Sequence, residues 1–354
     1  MQKISGNLID DLIVIKKPKE IGRLYNKSHF GVANSDNHLL LNLIESIFLV
    51  EEEKLMVFKD KEPLDFEYLV KFASKHINRF EIKYLAFKDL RKRGYAVNTN
   101  SNNITDFYII KKESEKKSNE KICFISVFSE RDIINIKILK NLTNFAKNKN
   151  GDLWLSIVDE EGDITYYDVS ELKLSGNIEN HNYPKFTGFL LENRVIVFDE
   201  IISKSLFKKD FYGKPFGSGL QLSIVEALYL IDKKLLKISI NETSKKLKYS
   251  DLLQIIKKTQ PDIEGRLIVY KDLKKNGLLV KTGFKFGAHF RAYTEKPNIT
   301  HAEYLVHVIP KDFESIWAEM SRAVRLAHSV NKEIVFASIE DNDVKYIRFG
   351  RLRP

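Results

Sequence analysis

At 354 residues the chain is long enough for two or more domains, each with its own core. A hydrophobic fraction of 43% fits a folded protein, and a lone cysteine, Cys123, excludes an intrachain disulfide or a thiolate metal cluster. The 58 lysines and arginines outnumber 48 acidic residues, a net charge of +10 that points to a polyanion partner. The opening stretch, MQKISGNLIDDL, lacks the basic-then-apolar pattern of a leader, so cytoplasmic residence is expected. An extended segment, LIVI, comes first. Apolar residues at Leu40, Leu43, Ile44, Ile47 and Phe48 then have helical spacing. This run, LLLNLIESIFLV, is broken by Asn42 and Glu45 and is too short and polar to span a bilayer. A second helix, LDFEYLVKFASKHI, follows, and a third around FEIKYLAFKDLRKRG stops at Gly94 just past a basic last turn. Strands YAV, FYII and ICFISVF come next, the last two separated by a lysine-rich loop, KKESEKKSNEK, expected to be mobile. The helix IINIKILKNLTNFAKNK and the strands LWLSIV and ITYYDV, joined by DEEGD, complete the series. The polar segment SGNIENHNYP, residues 175–184, reads as a linker.

The series then repeats. FKDLRKRGYAV from Phe87 parallels YKDLKKNGLLV from Tyr270, an offset of 270 − 87 = 183. Glu45 faces Glu226, LDFEYLVKFA parallels KYSDLLQIIK, and Ser156 faces Ser338. A period of about 180 residues is too long for a solenoid and describes a duplicated domain. The expected fold is α+β. Each repeat has a small N-terminal α/β block (1–80 and 185–262) and a C-terminal mixed-sheet block flanked by helices (81–174 and 263–354).

The copies differ where chemistry could reside. In the second, VKTGFKFGAHFRAY carries Gly283 and Gly287; the first has Asn100 and Ile104 there. Tyr293 faces Ile110, His301 falls near Asn119, and Lys332 faces Asn150. A phenol, an imidazole and an ammonium are therefore present together in one repeat and absent together in the other. Taken singly, each has an ordinary explanation: a half-buried strand-end tyrosine, a surface histidine, and a lysine at a helix C-terminus. Their co-occurrence is the signal. His289, His307 and His328 are rival imidazoles; His307 lies within a strand, His328 on a helix, and His289 just before FRAY. No histidine spacing of a metal site is present, so no metal or other cofactor is expected.

YKDLKKNGLLVKTGFKFGAHFRAY, THAEYLVHV and VRLAHSVNKEIVFASIEDNDVKYIRF resemble the catalytic domain of archaeal tRNA-splicing endonucleases. The whole chain more loosely resembles the duplicated, homodimeric form of that enzyme. The resemblance implies a catalytic triad of Tyr293, His301 and Lys332, with Arg325 and Arg351 gripping an extruded base. It also implies that the acidic turn of Asp159, Glu160, Glu161 and Asp163 docks into a basic groove on the partner subunit. Without the resemblance, that turn is simply a solvated hairpin loop, and either arginine is a surface charge. Two departures stand out: the short spacer TEKPNIT before His301, and Asn331 where the family has a basic residue.

The implied substrate is precursor tRNA, cut at a helix with a three-nucleotide bulge at each end. Metal-free RNA cleavage needs a base for the 2′-OH, an acid for the departing 5′-oxygen and a cation for charge on the phosphorane. An imidazolium suits the acid and a lysine the cation. A free phenol ionises only near ~10, so a tyrosine acts as base beside cations or else orients the 2′-OH. The implied products are a 2′,3′-cyclic phosphate and a 5′-OH, and DNA, lacking the nucleophile, is bound but not cut. Two rivals predict other patterns. A non-catalytic RNA-binding or structural subunit loses the triad in both repeats. A DNA nuclease shows a spaced Asp and Glu-x-Lys cluster, and repeat two has none.

Overall fold

The computed structural model describes residues 3–100, 104–112, 120–179, 181–239, 246–296, 301–340 and 343–354. The fold is α+β and the chain divides into two compact units. One holds Met1–Ser170 with Ser315–Glu319 and Arg351–Pro354; the other holds Glu171–Glu314 with Met320–Gly350. No described helix is long and apolar enough to cross a membrane.

In the first unit the N-terminal block is a six-stranded sheet. Its order is Val32–Ala33, Leu39–Leu41, Leu12–Ile15, Ile4–Ile9, Leu55–Lys59 and Glu62–Leu64. Leu40 thus belongs to a strand, not to the amphipathic helix, which runs Leu43–Glu51. The boundary is set by Asn42, extended at φ −76 and ψ 170. Its side chain accepts the Glu45 N–H while the Glu45 carboxylate accepts the Asn42 N–H, a capping box. Ser223 and Glu226 form the same box ahead of helix Ile224–Asp232.

The C-terminal block follows the helix Phe80–Lys92. It contributes strands in the order Val97–Thr99, Phe107–Lys112, Glu120–Ser129, Asp152–Val158 and Ile164–Leu172. Glu120–Ser129 and Asp152–Val158 run parallel, so a crossover is needed, and the helix Ile136–Asn148 supplies it. Of the lysine-rich loop expected to be mobile, residues 113–119 lie outside the described residues. The second unit repeats the plan. Its six-stranded sheet runs Lys214–Phe216, Gly219–Ser223, Arg194–Val197, Phe186–Leu191, Leu236–Ser239 and Lys246–Leu247. Its mixed sheet runs Leu279–Thr282, Phe290–Tyr293, Tyr304–Ile309, Glu333–Glu340 and Asp343–Leu352.

Strand register fixes which residues are equivalent. Val97 pairs with Ile109, Ile109 with Cys123, and Cys123 with Asp152. Val280 pairs with Ala292, Ala292 with Tyr304, and Tyr304 with Glu333. Each series starts three residues past a left-handed helix-stop glycine, Gly94 or Gly277. Tyr293 therefore matches Ile110, as expected. Lys332, just ahead of Glu333, matches Gly151 rather than Asn150. Ser156 stands with Ala337, not Ser338, because each of these two lies opposite the tyrosine of its hairpin, Tyr166 or Tyr346.

The two cores are built alike. Phe87 lies between Phe48 and Phe107, with centroids 5.8 Å from each; Tyr270 lies between Tyr229 and Phe290 at 5.4 and 5.9 Å. Edge-on packing of such buried rings adds about 0.5–1.5 kcal/mol per pair beyond area burial. Beneath them sits a buried carboxylate in each copy. Glu45 accepts the Gly31 N–H at 2.9 Å and Glu226 the Gly213 N–H at 2.9 Å. A cation acts on each, the half-buried Arg91 on Glu45 and the buried Lys274 on Glu226, and burial lowers the pKa of both; that of Arg91 falls to about 10.

Candidate functional site

Tyr293 is the last residue of strand Phe290–Tyr293, opposite Leu279. It is 8% exposed and packs with Ile178, Leu279, Ala302 and Phe211. Lys332 is delivered by the end of helix Trp317–Ser329. Asn331 N–H donates to His328 O and Lys332 N–H to Ala327 O, both at 3.1 Å, with Asn331 in the left-handed region at φ 53. This is a Schellman stop, and asparagine is the side chain other than glycine that best tolerates it. Asn331, where the family resemblance expects a basic residue, thus has a backbone role. Asn150 ends helix Ile136–Asn148 in the same way, at φ 51.

The three candidate catalytic residues meet through Ala302. Its side chain belongs to the Tyr293 cluster, its carbonyl accepts the Lys332 ammonium at 2.8 Å, and His301 precedes it in the chain, exposed. The Lys332 nitrogen also lies 5.8 Å from the Phe286 ring centroid. Lys332 lines an open cleft of about 490 Å³ with Glu303, Tyr304, His328, Asn331 and Glu333. In the spacer TEKPNIT, residues 297–300 lie outside the described residues, as does Asn119, the residue expected opposite His301.

His328, read from sequence as a rival imidazole on a helix, is exposed and lines this cleft. Its position three residues after Arg325 was the signal, because i and i+3 share a helix face. Arg325 is exposed, with its Nε on Ser321 O at 3.4 Å. Arg351 is exposed near the end of strand Asp343–Leu352, in the segment that groups with the first unit.

The rival imidazoles are held differently. His289 Nδ1 accepts the Val308 N–H at 3.0 Å, its Nε2 is 3.4 Å from Asp262, and its ring lies 4.5 Å from that of His307. Burial pushes His289 down to about 4, with His307 and Arg266 adding to the effect, and burial also lowers His307. Neither is an imidazolium near neutral pH. Among the described residues no group of three His, Cys, Asp or Glu stands ready to hold a metal ion.

The acidic turn is a hairpin whose members differ. The Asp159 carboxylate accepts the N–H groups of Glu161 and Asp163 at 3.0 and 2.9 Å and so folds the turn. Glu160 pairs with Arg131, and Glu160, Glu161 and Asp163 are exposed. In the second unit, a cleft of about 660 Å³ is lined by Arg194, Lys214, Arg266, Lys281 and Arg291 among others. The matching cleft of the first unit, about 480 Å³, has Asp11, Lys83 and Asp106 as its charged lining. Duplication has left one cleft basic and the other not.

Comparison with known proteins now bears on this site. Residues 80–166 and 263–346 match the family described as tRNA intron endonuclease, catalytic C-terminal domain; residues 4–70 and 186–253 match its N-terminal domain. The chain belongs to the tRNA intron endonuclease family. As a member of that family it is an endoribonuclease. Among its relatives is a tRNA-splicing endonuclease of Methanococcoides burtonii, 39% identical, covering 98% of this chain and 99% of the relative. Proteins of the same name from Methanosarcina barkeri and Methanosarcina mazei are 34% and 35% identical. The first covers 96% of this chain and 97% of its own length; the second covers 100% of both. Two copies of each tRNA intron endonuclease domain in one chain agree with the duplicated core and capping boxes described above.

Proposed function

We propose that this tRNA intron endonuclease cuts precursor tRNA at bulge–helix–bulge exon–intron junctions by attack of the 2′-OH on the adjacent phosphate. The observation that carries this reading is the junction at Ala302, which clusters with Tyr293, accepts the Lys332 ammonium and directly follows His301 in the chain. Tyr293 takes or orients the 2′-OH proton. His301, exposed in the structure, protonates the departing 5′-oxygen, and Lys332 stabilises charge on the non-bridging oxygens. Arg325 and Arg351 grip the unstacked bulge, since a guanidinium plane stacks on any base and still contacts phosphate.

The working form is a homodimer in the cytoplasm, with four blocks per chain (1–80, 81–174, 185–262 and 263–354). Glu160, Glu161 and Asp163 of one chain enter the basic cleft of the other. Charge complementarity supports that docking: five cations line the cleft of the catalytic repeat, whereas its counterpart has one lysine and two aspartates. A twofold dimer also suits a substrate with two bulges.

Cleavage of a prefolded bulged RNA helix in EDTA, with end-group analysis, tests the chemistry. A 2′,3′-cyclic phosphate and a 5′-OH are expected. Activity lost in EDTA and restored by Mg²⁺, or a 5′-phosphate product, contradicts it.

A further inference from the structure

We propose that the segment joining the two repeats is a strap that positions Tyr293; this rests on the role given to Tyr293 above. A tyrosine at the end of a strand has no further ladder to hold its ring, because the chain leaves the sheet at Thr294. What holds it is packing, and Ile178 supplies part of that packing. Ile178 is 7% exposed in the same small cluster as Tyr293, Leu279 and Ala302.

The strap is laid down by its backbone. Gly176 N–H donates to Asn276 O at 2.9 Å, Asn177 N–H to Thr294 O at 3.0 Å and Ile178 N–H to Gly277 O at 2.9 Å. Asn276 and Gly277 end the helix Ile263–Lys275, where carbonyls lack helical partners. Thr294 directly follows Tyr293. The strap therefore clamps the two chain ends that flank the phenol. Gly176 permits the close approach: a Cβ there would lie 2.5 Å from Gly277 O and 2.9 Å from Thr294 O. Farther along, the Asp210 carboxylate, 3% exposed, accepts Tyr183 OH at 2.6 Å and pairs with His181 Nδ1 at 2.7 Å. A polar, glycine-containing sequence is thus fastened on both sides of the contact with Tyr293. Ile178 is a positioning residue, since it is buried in the cluster that holds Tyr293 and acts through that side chain.

Displacement of a reacting group by about 1 Å costs on the order of a hundredfold in rate. In single-turnover cleavage of a bulged RNA, Ile178→Ala should slow the step by about tenfold to a hundredfold at unchanged RNA affinity. Ile178→Leu should restore most of the rate, and Ile178→Val, one methylene short, should show a smaller loss of the same kind if the alanine variant fails to fold. In a Tyr293→Phe background the Ile178 loss should vanish. Ring-labelled tyrosine NMR gives a readout apart from activity: the resonance missing from Tyr293→Phe should shift and broaden in the Ile178 variants. An unmoved resonance, or an equal loss with and without the phenol, overturns the strap. Full activity of Tyr293→Phe instead overturns the role of Tyr293, while the resonance still decides whether the strap holds it.

Discussion

The imidazoles of the second repeat differ in environment, and environment sorts their roles. His301 is exposed beside Ala302, whereas His289 is enclosed by Val308, Asp262 and His307. His301→Ala should slow cleavage by roughly 10²-fold or more and leave RNA affinity nearly unchanged, the mark of a lost general acid. An equal fall in binding assigns His301 to positioning. His289→Ala, the control, should cut RNA at close to the parental rate. His289 has its own pH signature. A free imidazole titrates near about 6.5, and burial holds this one to about 4. As pH falls through that window the unfolded chain takes up the proton and the folded chain does not. The stabilisation is complete above about 6.5 and is lost progressively towards about 4. Denaturant midpoints measured from pH 7 to 4.5 should fall less steeply in His289→Gln than in the parent, and identical slopes contradict the assignment. At this scale the candidate triad stood out in the sequence because three reactive side chains are present together in one repeat and absent together in the other. The role of Asp159 was not, because nothing in DEEGD distinguishes the carboxylate that folds the turn from the three that face solvent.

Elements show the same division between pattern and context. Helices at Leu43–Glu51, Phe66–His76 and Phe80–Lys92 follow from apolar spacing and caps. Much of each N-terminal sheet does not, because strands such as Val32–Ala33 and Lys214–Phe216 are too short to display a period of two. How the segment between the repeats is held was not legible for a related reason. Residues 175–184 are polar in their side chains, yet their backbone amides bond to carbonyls that composition cannot reveal. The equivalence of Lys332 with Asn150 slipped by one residue for want of strand register. Hairpin geometry also refines what to mutate. Reversing Glu160, Glu161 and Asp163 to lysine, with Asp159 kept, leaves the carboxylate that folds the turn in place. If these groups enter a partner's basic cleft, sedimentation should show monomer or a loosened dimer where the parent is dimeric, and the remaining association should be more salt-sensitive. Cleavage should fall although the triad is intact. A variant that stays dimeric and cuts both bulges at the parental rate returns the turn to a solvated loop.

For the whole molecule, a net charge of +10 predicts strongly salt-dependent RNA binding. Each phosphate neutralised contributes a slope of about −0.7 to −0.9 in log K against log salt. Arg325→Ala should reduce cleavage at bulges more than binding to plain duplex, and a uniform loss on both ligands leaves Arg325 as one more phosphate contact. The duplicated architecture was legible from the offset of about 180 residues. The asymmetry between copies goes deeper than missing reactive groups, and Gly151 shows why. A side chain at that position would place its Cβ 2.6 Å from the Phe124 ring and 2.8 Å from Ile122 O. Phe124 is in turn packed edge-on against Phe145, with centroids 4.9 Å apart. An aromatic ring fills the space that a side chain at this position would need, so placing a lysine there, opposite Lys332 of the other copy, means dismantling that ring pair first. Gly151→Lys alone should therefore cost the first copy stability without supplying a cation placed as Lys332 is, so the two copies are not interconvertible one substitution at a time.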